Sequence, residues 1–529
     1  MRIDKLHIKS RFKNLEDFKI DIDENAWETV LLGLNATGKS NFLEALVIIY
    51  RDLDLIYNHK RKVKKHDFDF YIKYECRGNN IEIDLDNGKY SFKVNEKVET
   101  TVVTQNIEHY LPKHVFIYYS GISDRLADLY IPHQKLYYDE IIKAGAKISQ
   151  FDTIRRIFLA QNIHANFALI AFYMFKDREE ETLKFLKDEL KIEDFGSALF
   201  MLKEPEWAKS RKNKTAELWG AKGLVRDFLD DILRFSFAPI QHKARVEVSY
   251  KKAETQDRLY LYLKDRETFS DLIEFKYQNK IALFNALESI HISDMLHDVK
   301  IKVKKENVDG ELAMSELSEG EKQLLTVLGL LKFTKDEESL ILLDEPDTHL
   351  NPMWKWKFLD YLDRVVKRKS NTQIIFCSHD PLVIGNLKKN QVQIFKKDDH
   401  GKTEAFNPHV SPREMSVSKI LTSELFGIPS LMSKKLEDLL NQKRFLQAKL
   451  VQGELDETDK HLFERLKKYF DRIGFNDETA DSRYNQFLKL TSENKAYTNR
   501  KYTKEEAEEL DKIAKEVLDE ILKEEEKDQ

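Results

Sequence analysis

The chain has 529 residues, a formal net charge of −5 and 34% charged residues. This length allows about three or four domains with buried cores, and the charge neither requires nor excludes nucleic-acid binding. The longest apolar stretch, Phe167–Phe175, has nine residues, whereas a membrane-spanning helix needs about 20. The two cysteines, Cys76 and Cys377, are too few for a disulfide framework. We therefore expect a soluble, cytoplasmic protein with reduced thiols and no membrane contact.

The first part of the chain predicts strands around a phosphate-binding loop. Alternating apolar residues between Met1 and Asp23 indicate a strand pair, and Glu28–Leu32 is typical of a strand. The sequence after it, from Gly33 to Ser40, fits the pattern G-x-x-x-x-G-K-[ST]. A predicted helix, Asn41–Tyr50, follows. Further strands are predicted at Tyr71–Cys76, Ile81–Asp86, Tyr90–Val94 and Val115–Tyr119.

This loop has the chemistry of a nucleotide site. Backbone N–H groups at a helix N-terminus suit a phosphate chain, and Lys39 supplies a positive charge to the β- and γ-phosphates. Ser40 is expected to bind Mg²⁺. The predicted nucleotide contacts are Gly33, Asn35, Ala36, Thr37, Gly38, Lys39, Ser40 and Asn41. Residues 1–125 are assigned to the first lobe of the domain.

Residues 126–298 are predicted to form a helical insertion between the two halves of the nucleotide site. Helix-like segments include Phe151–Phe175, Glu179–Leu190 and Leu224–Ser236. The absence of sustained heptads argues against a long coiled coil and favours a compact subdomain.

A second lobe, residues 299–432, carries paired acids at the end of an apolar strand. The run Ile341–Leu343 is followed by Asp344 and Glu345. Asp344 is expected to bind Mg²⁺, whereas Glu345 points to the other side of a strand and is expected to orient or deprotonate the attacking water. His379 ends another apolar strand and is expected to sense the γ-phosphate. The predicted strands of this lobe are Val299–Lys304, Leu340–Leu343, Gln373–Cys377 and Gln391–Phe395.

A serine and glycine signature, Leu317-Ser318-Glu319-Gly320-Glu321, precedes the acids by about two dozen residues. If Glu319–Leu331 is a helix, Ser318, Gly320 and Glu321 cannot easily reach the nucleotide held by their own loop. They are therefore expected to contact the γ-phosphate of an opposite subunit, which predicts a head-to-tail homodimer with two ATP sites. A higher oligomer is the alternative.

The C-terminal region, residues 433–529, is highly charged and predicted to be helical. Ser433 can cap a helix that carries Leu436, Leu439, Leu440 and Leu446. Thr503 and Glu506 form a possible capping box before an apolar stripe, which consists of Leu510, Ala514, Val517 and Ile521. Packing on its own domain is the simpler interpretation of this stripe, and docking of a partner is the alternative.

Residues 33–40, 317–321, 340–345 and His379 resemble the Walker A, signature, Walker B and switch-histidine motifs of ABC ATPases. The segments Asp344–Pro352 and Ser378–Leu382 are similar to the soluble branch that includes SMC, RecF and OLD proteins. The resemblance implies an α/β fold: an ABC-type P-loop ATPase head with a helical insertion between its lobes and a C-terminal helical extension. It also implies ATP hydrolysis with Mg²⁺, and a D-loop at His349–Pro352.

One motif of the family departs from its usual form. Gln105 precedes the strand Val115–Tyr119 instead of following it, and the loop Ser120–Arg125 takes the expected position of the Q-loop.

The large insertion, the lack of a zinc hook and the C-terminal extension resemble the ATPase subunits of Septu systems and their retron-associated relatives. The resemblance implies an anti-phage sensor and scaffold that regulates a small HNH nuclease docked on residues 433–529, with DNA reached through the complex. The acids Asp477, Glu478 and Asp481 lack the preceding apolar strand of a Toprim nuclease, so no nuclease chemistry is expected in this chain.

An alternative function is a RecF-like or SMC-like DNA-repair clamp without a nuclease partner. Three basic strips could contact DNA phosphates: His59–Lys65, Lys209–Lys214, and Lys300, Lys302 and Lys304 on one predicted strand face. A solvated surface is the simpler interpretation of each strip.

Overall fold

The computed structural model describes residues 1–61, 66–121, 125–146, 155–175, 179–209, 217–249, 252–277, 279–333, 338–366, 369–428, 432–452 and 456–472. The chain divides into two compact units, residues 1–429 and residues 430–529. Several predicted features lie outside the described residues: the acids Asp477, Glu478 and Asp481, the capping box of Thr503 and Glu506, the stripe of Leu510, Ala514, Val517 and Ile521, and parts of the strips His59–Lys65 and Lys209–Lys214.

A seven-stranded sheet forms the centre of the first unit. In spatial order its strands are β18 (Thr403–Phe406), β17 (Val392–Lys397), β3 (Glu28–Gly33), β16 (Thr372–Cys377), β15 (Ser339–Asp344), β8 (His114–Tyr119) and β9 (Ile157–Leu159). All neighbours are parallel except the pair β17 and β18. The carboxyl ends of β3, β15 and β16 therefore meet at one edge.

The continuous apolar runs of these strands follow from burial on both faces of the sheet. Leu340 and Leu342 of β15 belong to one hydrophobic core, and Ile341 and Leu343 belong to the other. Each strand therefore contributes alternate residues to two cores.

A six-stranded antiparallel sheet shares the first core with the central sheet. Its strands in spatial order are β2 (Phe18–Asp21), β1 (Arg2–Ile8), β4 (Phe70–Cys76), β5 (Asn79–Asp86), β6 (Lys89–Val94) and β7 (Lys97–Val98). Helix α1 (Lys39–Leu53) contributes to the same core and continues into a π-helical turn, Asp54–Asn58. Two short helices follow, α2 (Thr100–Gln105) and α3 (Ile107–Tyr110).

The insertion combines helices with a sheet, so the prediction of a purely helical subdomain over residues 126–298 is wrong. Its helices are α4 (Arg125–Ile141), α5 (Asn162–Met174), α6 (Glu180–Leu190), α7 (Glu206–Lys209), α8 (Gly223–Phe235), α9 (Arg266–Lys276) and α10 (Lys280–Ile292). Its antiparallel sheet has, in spatial order, β11 (Ile240–Ser249), β12 (Lys252–Leu263), β10 (Ile192–Lys203), β13 (Leu296–Lys305) and β14 (Glu311–Ala313). Strand β13 spans the predicted boundary at residue 298, because it pairs with β10.

The missed strands have sequences that do not favour one structure locally. Strand β10 contains Leu, Ala, Met and Glu, which are good helix formers, and tertiary pairing decides its conformation. The predicted helix Phe151–Phe175 begins only at Asn162, because Ile157–Leu159 pairs with β8 at the edge of the central sheet.

The second lobe is completed by short helices. These are α11 (Glu319–Leu324), which continues into the π-helical turn Leu325–Gly329, then α12 (Pro352–Trp356), α13 (Phe358–Val365), α14 (Pro381–Ile384) and α15 (Val417–Thr422). Single 3-10 turns of this lobe lie at Met314–Glu316, Lys369–Asn371, Lys389–Gln391 and Pro412–Glu414. A further 3-10 turn, Glu217–Gly220, belongs to the insertion.

In the second unit, the described residues form helices α16 (Lys434–Gln452) and α17 (Glu457–Arg472). The side chain of Ser433 accepts the N–H of Leu436 at 3.3 Å, which confirms the predicted cap. Lys449 and Asp459 join the two helices through an ion pair of 2.9 Å. Across the described part of both units, no helix is long and apolar enough to cross a membrane.

Candidate nucleotide site

The loop between β3 and α1 needs glycine at two positions. Gly33 has φ +143°, and a Cβ there would lie 2.2 Å from the carbonyl oxygen of Phe395. Gly38 precedes α1 with φ +105°. The loop is fixed from two sides, since the Thr403 hydroxyl donates to the Thr37 carbonyl at 2.9 Å and the Asn14 amide donates to the Ala36 carbonyl at 3.0 Å.

Lys39 is held inside this loop. Its Nζ donates to the carbonyl oxygens of Gly33 at 2.7 Å and Leu34 at 3.1 Å, and the residue is only 6% exposed. Burial lowers the pKa of Lys39, whereas Asp344 and Glu345 act to raise it. The loop lysine and the two strand-end acids therefore lie within electrostatic reach of one another.

The two acids at the end of β15 differ in backbone conformation and in burial. Asp344 ends the strand and is 3% exposed. Glu345 has φ +53°, in the left-handed region, and its N–H donates to the Cys377 carbonyl at 3.2 Å. A non-glycine residue rarely adopts this conformation, which is often found at functional sites. Asp344 is therefore buried at the end of the strand, whereas the Glu345 side chain is 43% exposed.

His379 lies next to Glu345. Its Nε2 is 3.4 Å from Oε1 of Glu345, and both side chains are partly exposed, at 37% and 43%. Burial and the nearby Lys39 lower the pKa of His379, while Glu345 and Asp344 oppose this change. The lowered pKa favours the neutral imidazole, which can donate one hydrogen bond.

The signature residues satisfy their polar groups locally. The Ser318 side chain accepts the N–H of Glu321, and the Glu321 carboxylate accepts the Ser318 N–H at 2.8 Å and its hydroxyl at 3.0 Å. Lys305 donates to the other Glu321 oxygen at 2.6 Å. Although burial acts to raise it, the pKa of Glu321 is lowered by its bonds to Lys305 and Ser318.

Gly320 is required by a close approach of the backbone. A Cβ at this position would lie 2.6 Å from the carbonyl oxygen of His349, which belongs to the predicted D-loop. Within the described residues, no hydrogen bond or ion pair joins Ser318, Gly320 or Glu321 to the loop that holds Lys39.

Gln323 links the signature helix to the strand-end acids, and the sequence analysis missed it. Its amide nitrogen donates to the Glu345 carbonyl at 3.3 Å, and its amide oxygen accepts the His349 N–H at 2.9 Å. Gln323 directly precedes the run Leu324–Leu328, and the sequence alone gives no signal for these two contacts.

Asp347 is a second missed residue. It accepts a hydrogen bond of 2.8 Å from the Ser378 hydroxyl, so it connects the turn before the D-loop with the segment that carries His379. Burial raises the pKa of Asp347 to about 6.

Arg125, at the end of the loop predicted to replace the Q-loop, contacts Asp344, the acid predicted to bind the metal. Its Nη2 lies 3.6 Å from Oδ2 of Asp344. Gln105 instead lines a separate cavity of about 520 Å³ together with Arg77 and Lys113. The arginine, not this glutamine, therefore reaches the nucleotide site.

A cluster of Asp54, His59 and His133 has ligand atoms within 4.8 Å of one another and resembles a metal site in residue type. Arg156 already pairs with Asp54 through a contact of 2.8 Å, and His133 Nε2 lies 2.9 Å from the other carboxylate oxygen. A divalent cation would add two uncompensated positive charges to a buried site, which is unfavourable. The cluster is therefore an ion-pair network.

The three lysines of β13 lie on one exposed strand face, as predicted. Lys300, Lys302 and Lys304 are exposed, and the residues between them are buried. Two acids flank the row, because Asp194 of β10 and Glu311 of β14 are both paired with Lys304. Residues directly opposite in a sheet share a face, so these carboxylates weaken the positive field at one end of the row.

A sequence model of the family described as "AAA domain, putative AbiEii toxin, Type IV TA system" matches residues 29–385. The chain belongs to this AAA domain family. The protein is an ATPase with an ABC-type P-loop head, as its family, the order of its strands and the convergence of its motifs identify. Such a head binds nucleotide.

Two named relatives are similar to this AAA ATPase. The Septu protein PtuA of Bacillus mycoides (strain KBAB4) is 26% identical over 140 residues, which cover 26% of this chain and 19% of the relative. The "Retron Ec83 probable ATPase" of Escherichia coli is 22% identical over 438 residues, which cover 75% of this chain and 72% of the relative. The match thus spans only about a fifth of the length of the Septu protein.

Two solved structures also match the AAA ATPase. The SMC head domain from Thermotoga maritima has a TM-score of 0.30 and 13% identity, over 78% of this chain and 100% of that chain. An ATP-binding cassette of an ABC transporter has a TM-score of 0.26 and 11% identity, over 81% of this chain and 98% of that chain. These scores are low, and the fold assignment rests on the sheet order and the positions of the motifs.

Proposed function

We propose that this ATPase is the sensor and scaffold subunit of an anti-phage defence complex, in which it binds and hydrolyses ATP and regulates a partner HNH nuclease. The observation that carries the ATP-dependent part is the convergence of Lys39, Asp344, Glu345 and His379 at one edge of the central sheet. The similarity to a Septu protein and a retron ATPase supports the defence context.

The phosphate chain of ATP would lie along residues 33–41. Their backbone N–H groups, at the start of α1, supply hydrogen bonds and a favourable dipole. Lys39 would exchange its two carbonyl partners, Gly33 and Leu34, for phosphate oxygens. Because burial disfavours its charged form, a phosphate partner would stabilise the Lys39 ammonium.

Ser40 and Asp344 are the residues that would hold Mg²⁺. A hydroxyl and a carboxylate are the oxygen ligands that this hard cation prefers. The buried Asp344 carboxylate now has Arg125 and Lys39 as its positive neighbours, so Mg²⁺ would take the place of Arg125 beside it. When bound, Mg²⁺ would neutralise charge on the β- and γ-phosphate oxygens.

Hydrolysis would use Glu345 and His379 as a pair. Glu345 is 43% exposed, so it could accept a proton from a water molecule or orient it. The neutral His379, 3.4 Å from that carboxylate, would donate to the γ-phosphate or keep Glu345 in position.

Ser318 and Gly320 would complete the site of a second copy. Ser318 is exposed at the start of α11, and the N-terminus of a helix favours a bound anion. A second copy in head-to-tail arrangement would place this signature against the nucleotide of the first, which gives an isologous dimer with two equivalent sites.

A mixing experiment tests this dimer. Lys39→Ala and Ser318→Arg chains should each lack ATPase activity alone. Mixed together, they should recover about a quarter of the wild-type rate, since about half of randomly assembled dimers are mixed and each retains one intact site. If the signature acts within its own chain, both partners of the mixed dimer are inactive and no activity returns.

The C-terminal region is the proposed docking site for the nuclease. Residues 430–529 form a compact unit distinct from residues 1–429, and Phe445 and Leu450 of α16 are exposed apolar residues. Affinity purification of the Glu345→Gln chain, expressed with its neighbouring genes and analysed by mass spectrometry, should recover a small HNH protein in stoichiometric amount.

A truncated chain, residues 1–432, is the matched control. It should bind and hydrolyse ATP but lose the HNH protein. Recovery of a bare ATPase dimer from the full chain would count against nuclease regulation.

The exposed lysine row of β13 is the observation that favours the second candidate, a DNA-repair clamp. In that case Lys302→Glu should weaken ATP-dependent DNA binding and reduce its salt dependence. Lys89→Glu, an exposed residue of β6, is the control. DNA binding that is unaffected by Lys302→Glu would remove this support.

A further inference from the structure

Arg125 lies between the two elements that would hold the metal of ATP. Its Nη2 is 3.6 Å from Oδ2 of Asp344 at the end of β15, and its Nη1 donates to Oδ1 of Asn41 at 3.4 Å. Asn41 follows the predicted metal ligand Ser40 near the start of α1. The guanidinium therefore contacts one predicted metal ligand, Asp344, and the residue that follows the other.

The contacts of Arg125 permit it to move. The guanidinium packs on the ring of Tyr119 at 5.3 Å, and the side chain is 29% exposed. Its Nε has no hydrogen-bond partner among the described residues. An arginine that makes one long ion pair and one weak hydrogen bond retains donors for a further anion.

Helix α4, which begins at Arg125, is fixed at two points along α1. Arg125 contacts Asn41 near the start of α1, and His133 contacts Asp54 immediately after its end, at 2.9 Å. A displacement of the Arg125 side chain therefore acts on a helix that lies beside the helix of the phosphate-binding loop.

The same helix also contacts the core of the insertion. The guanidinium of Arg155 packs on the rings of Tyr130 and Tyr137, both on α4, at 4.9 Å and 4.8 Å. Arg155 forms a buried ion pair with Glu288 of α10. Contiguous contacts therefore join Asp344, Arg125, α4 and α10.

We propose that Arg125 couples the occupancy of the metal-nucleotide site to the position of α4. Asp344 cannot keep Arg125 as a counter-ion while it binds a divalent cation, because two cations at this separation repel one another. Arg125 then leaves Asp344 and binds the terminal phosphate of ATP, whose negative charge attracts a guanidinium. Helix α4 shifts with it, and Tyr130 and Tyr137 carry the shift to Arg155 and α10. This inference rests on the proposed function, because it requires Asp344 to bind the metal of ATP.

Hydrogen exchange of the full chain tests the coupling without measuring turnover. In Glu345→Gln protein with ATP, exchange in α4 and α10 should differ between Mg²⁺ and EDTA. The additional substitution Arg125→Ala should abolish this difference while ATP still protects α1.

Matched variants distinguish the outcomes. Lys135→Ala, at an exposed position of α4, should behave as the parent, and Arg125→Lys should recover only part of the response because it loses the planar fork. A Mg²⁺-dependent change that persists in Arg125→Ala overturns the coupling. If Asp344→Asn leaves the Mg²⁺ dependence of ATP binding unchanged, the proposed metal site fails instead.

Discussion

The loop around Lys39 and the signature around Ser318 use their polar groups in opposite ways. At the edge of the central sheet, Lys39, Glu345 and His379 come from different elements and act on one another. At the start of α11, Ser318 and Glu321 bond to each other within one turn. The first group combines side chains from different elements, whereas the polar groups of the second bond to each other. In the proposed dimer, the signature would act on a second molecule and not on its own loop.

Removal of the loop lysine should have the largest effect. Lys39→Ala takes away the buried ammonium that faces the phosphate position, and we expect ATP affinity to fall by about a hundredfold or more, as for loss of a charge-assisted contact. Titration with a fluorescent ATP analogue measures this loss. Lys89→Ala should bind normally, and retained affinity in Lys39→Ala would show that the phosphates lie elsewhere.

Glu345→Gln separates binding from chemistry within the same cluster. The amide keeps the shape of the side chain but cannot accept a proton from water, so hydrolysis should fall by about 10² to 10⁴. ATP affinity should change little, and the dimer should accumulate with ATP in size-exclusion chromatography. Normal turnover would reject the role assigned to Glu345.

Gly320→Ala disturbs the signature alone. The new Cβ would lie 2.6 Å from the His349 carbonyl, so the D-loop must shift. We expect ATP binding by the single chain to be unchanged and dimer-dependent hydrolysis to fall about tenfold, as for the misplacement of a contributing surface. Gly385→Ala is the control, because its Cβ would meet only ordinary contacts, the nearest at 3.7 Å. Equal effects at both glycines would indicate a general loss of stability.

The nucleotide half of the site was predictable because its motifs depend on local sequence. A glycine pattern before a helix and acids after an apolar strand each predict a backbone geometry, and parallel strands bring Lys39, Asp344 and His379 to one edge. The roles of these residues remain predictions. The sequence could not reveal Gln323 or Asp347, because their partners are backbone and hydroxyl groups brought close only by tertiary packing.

The insertion was less predictable for a physical reason. Strands β10 and β12 pair at a separation of about 60 residues, and β10 also pairs with β13. Such pairing depends on distant partners, and local composition carries little of this information. The helices of the insertion, such as α6 and α8, agree with prediction because a period of 3.6 residues is a local signal.

The smallest expected effect concerns Asp347, which accepts a hydrogen bond from Ser378, the residue before His379. Burial raises its pKa from 3.8 to about 6. The folded state therefore binds a proton more tightly than the unfolded state, so this group contributes stability below about pH 4 that is lost as the pH rises through about 6. Asp347→Asn mimics the protonated form and should raise the melting temperature relative to wild type by a few degrees at pH 8, with a smaller difference at pH 5.

Asp399→Asn, at an exposed position, controls for removal of one negative charge. Equal melting differences at the two pH values would mean that the Asp347 carboxyl does not titrate between pH 5 and pH 8. The hydrogen bond between Asp347 and Ser378 would then not depend on the charge of Asp347.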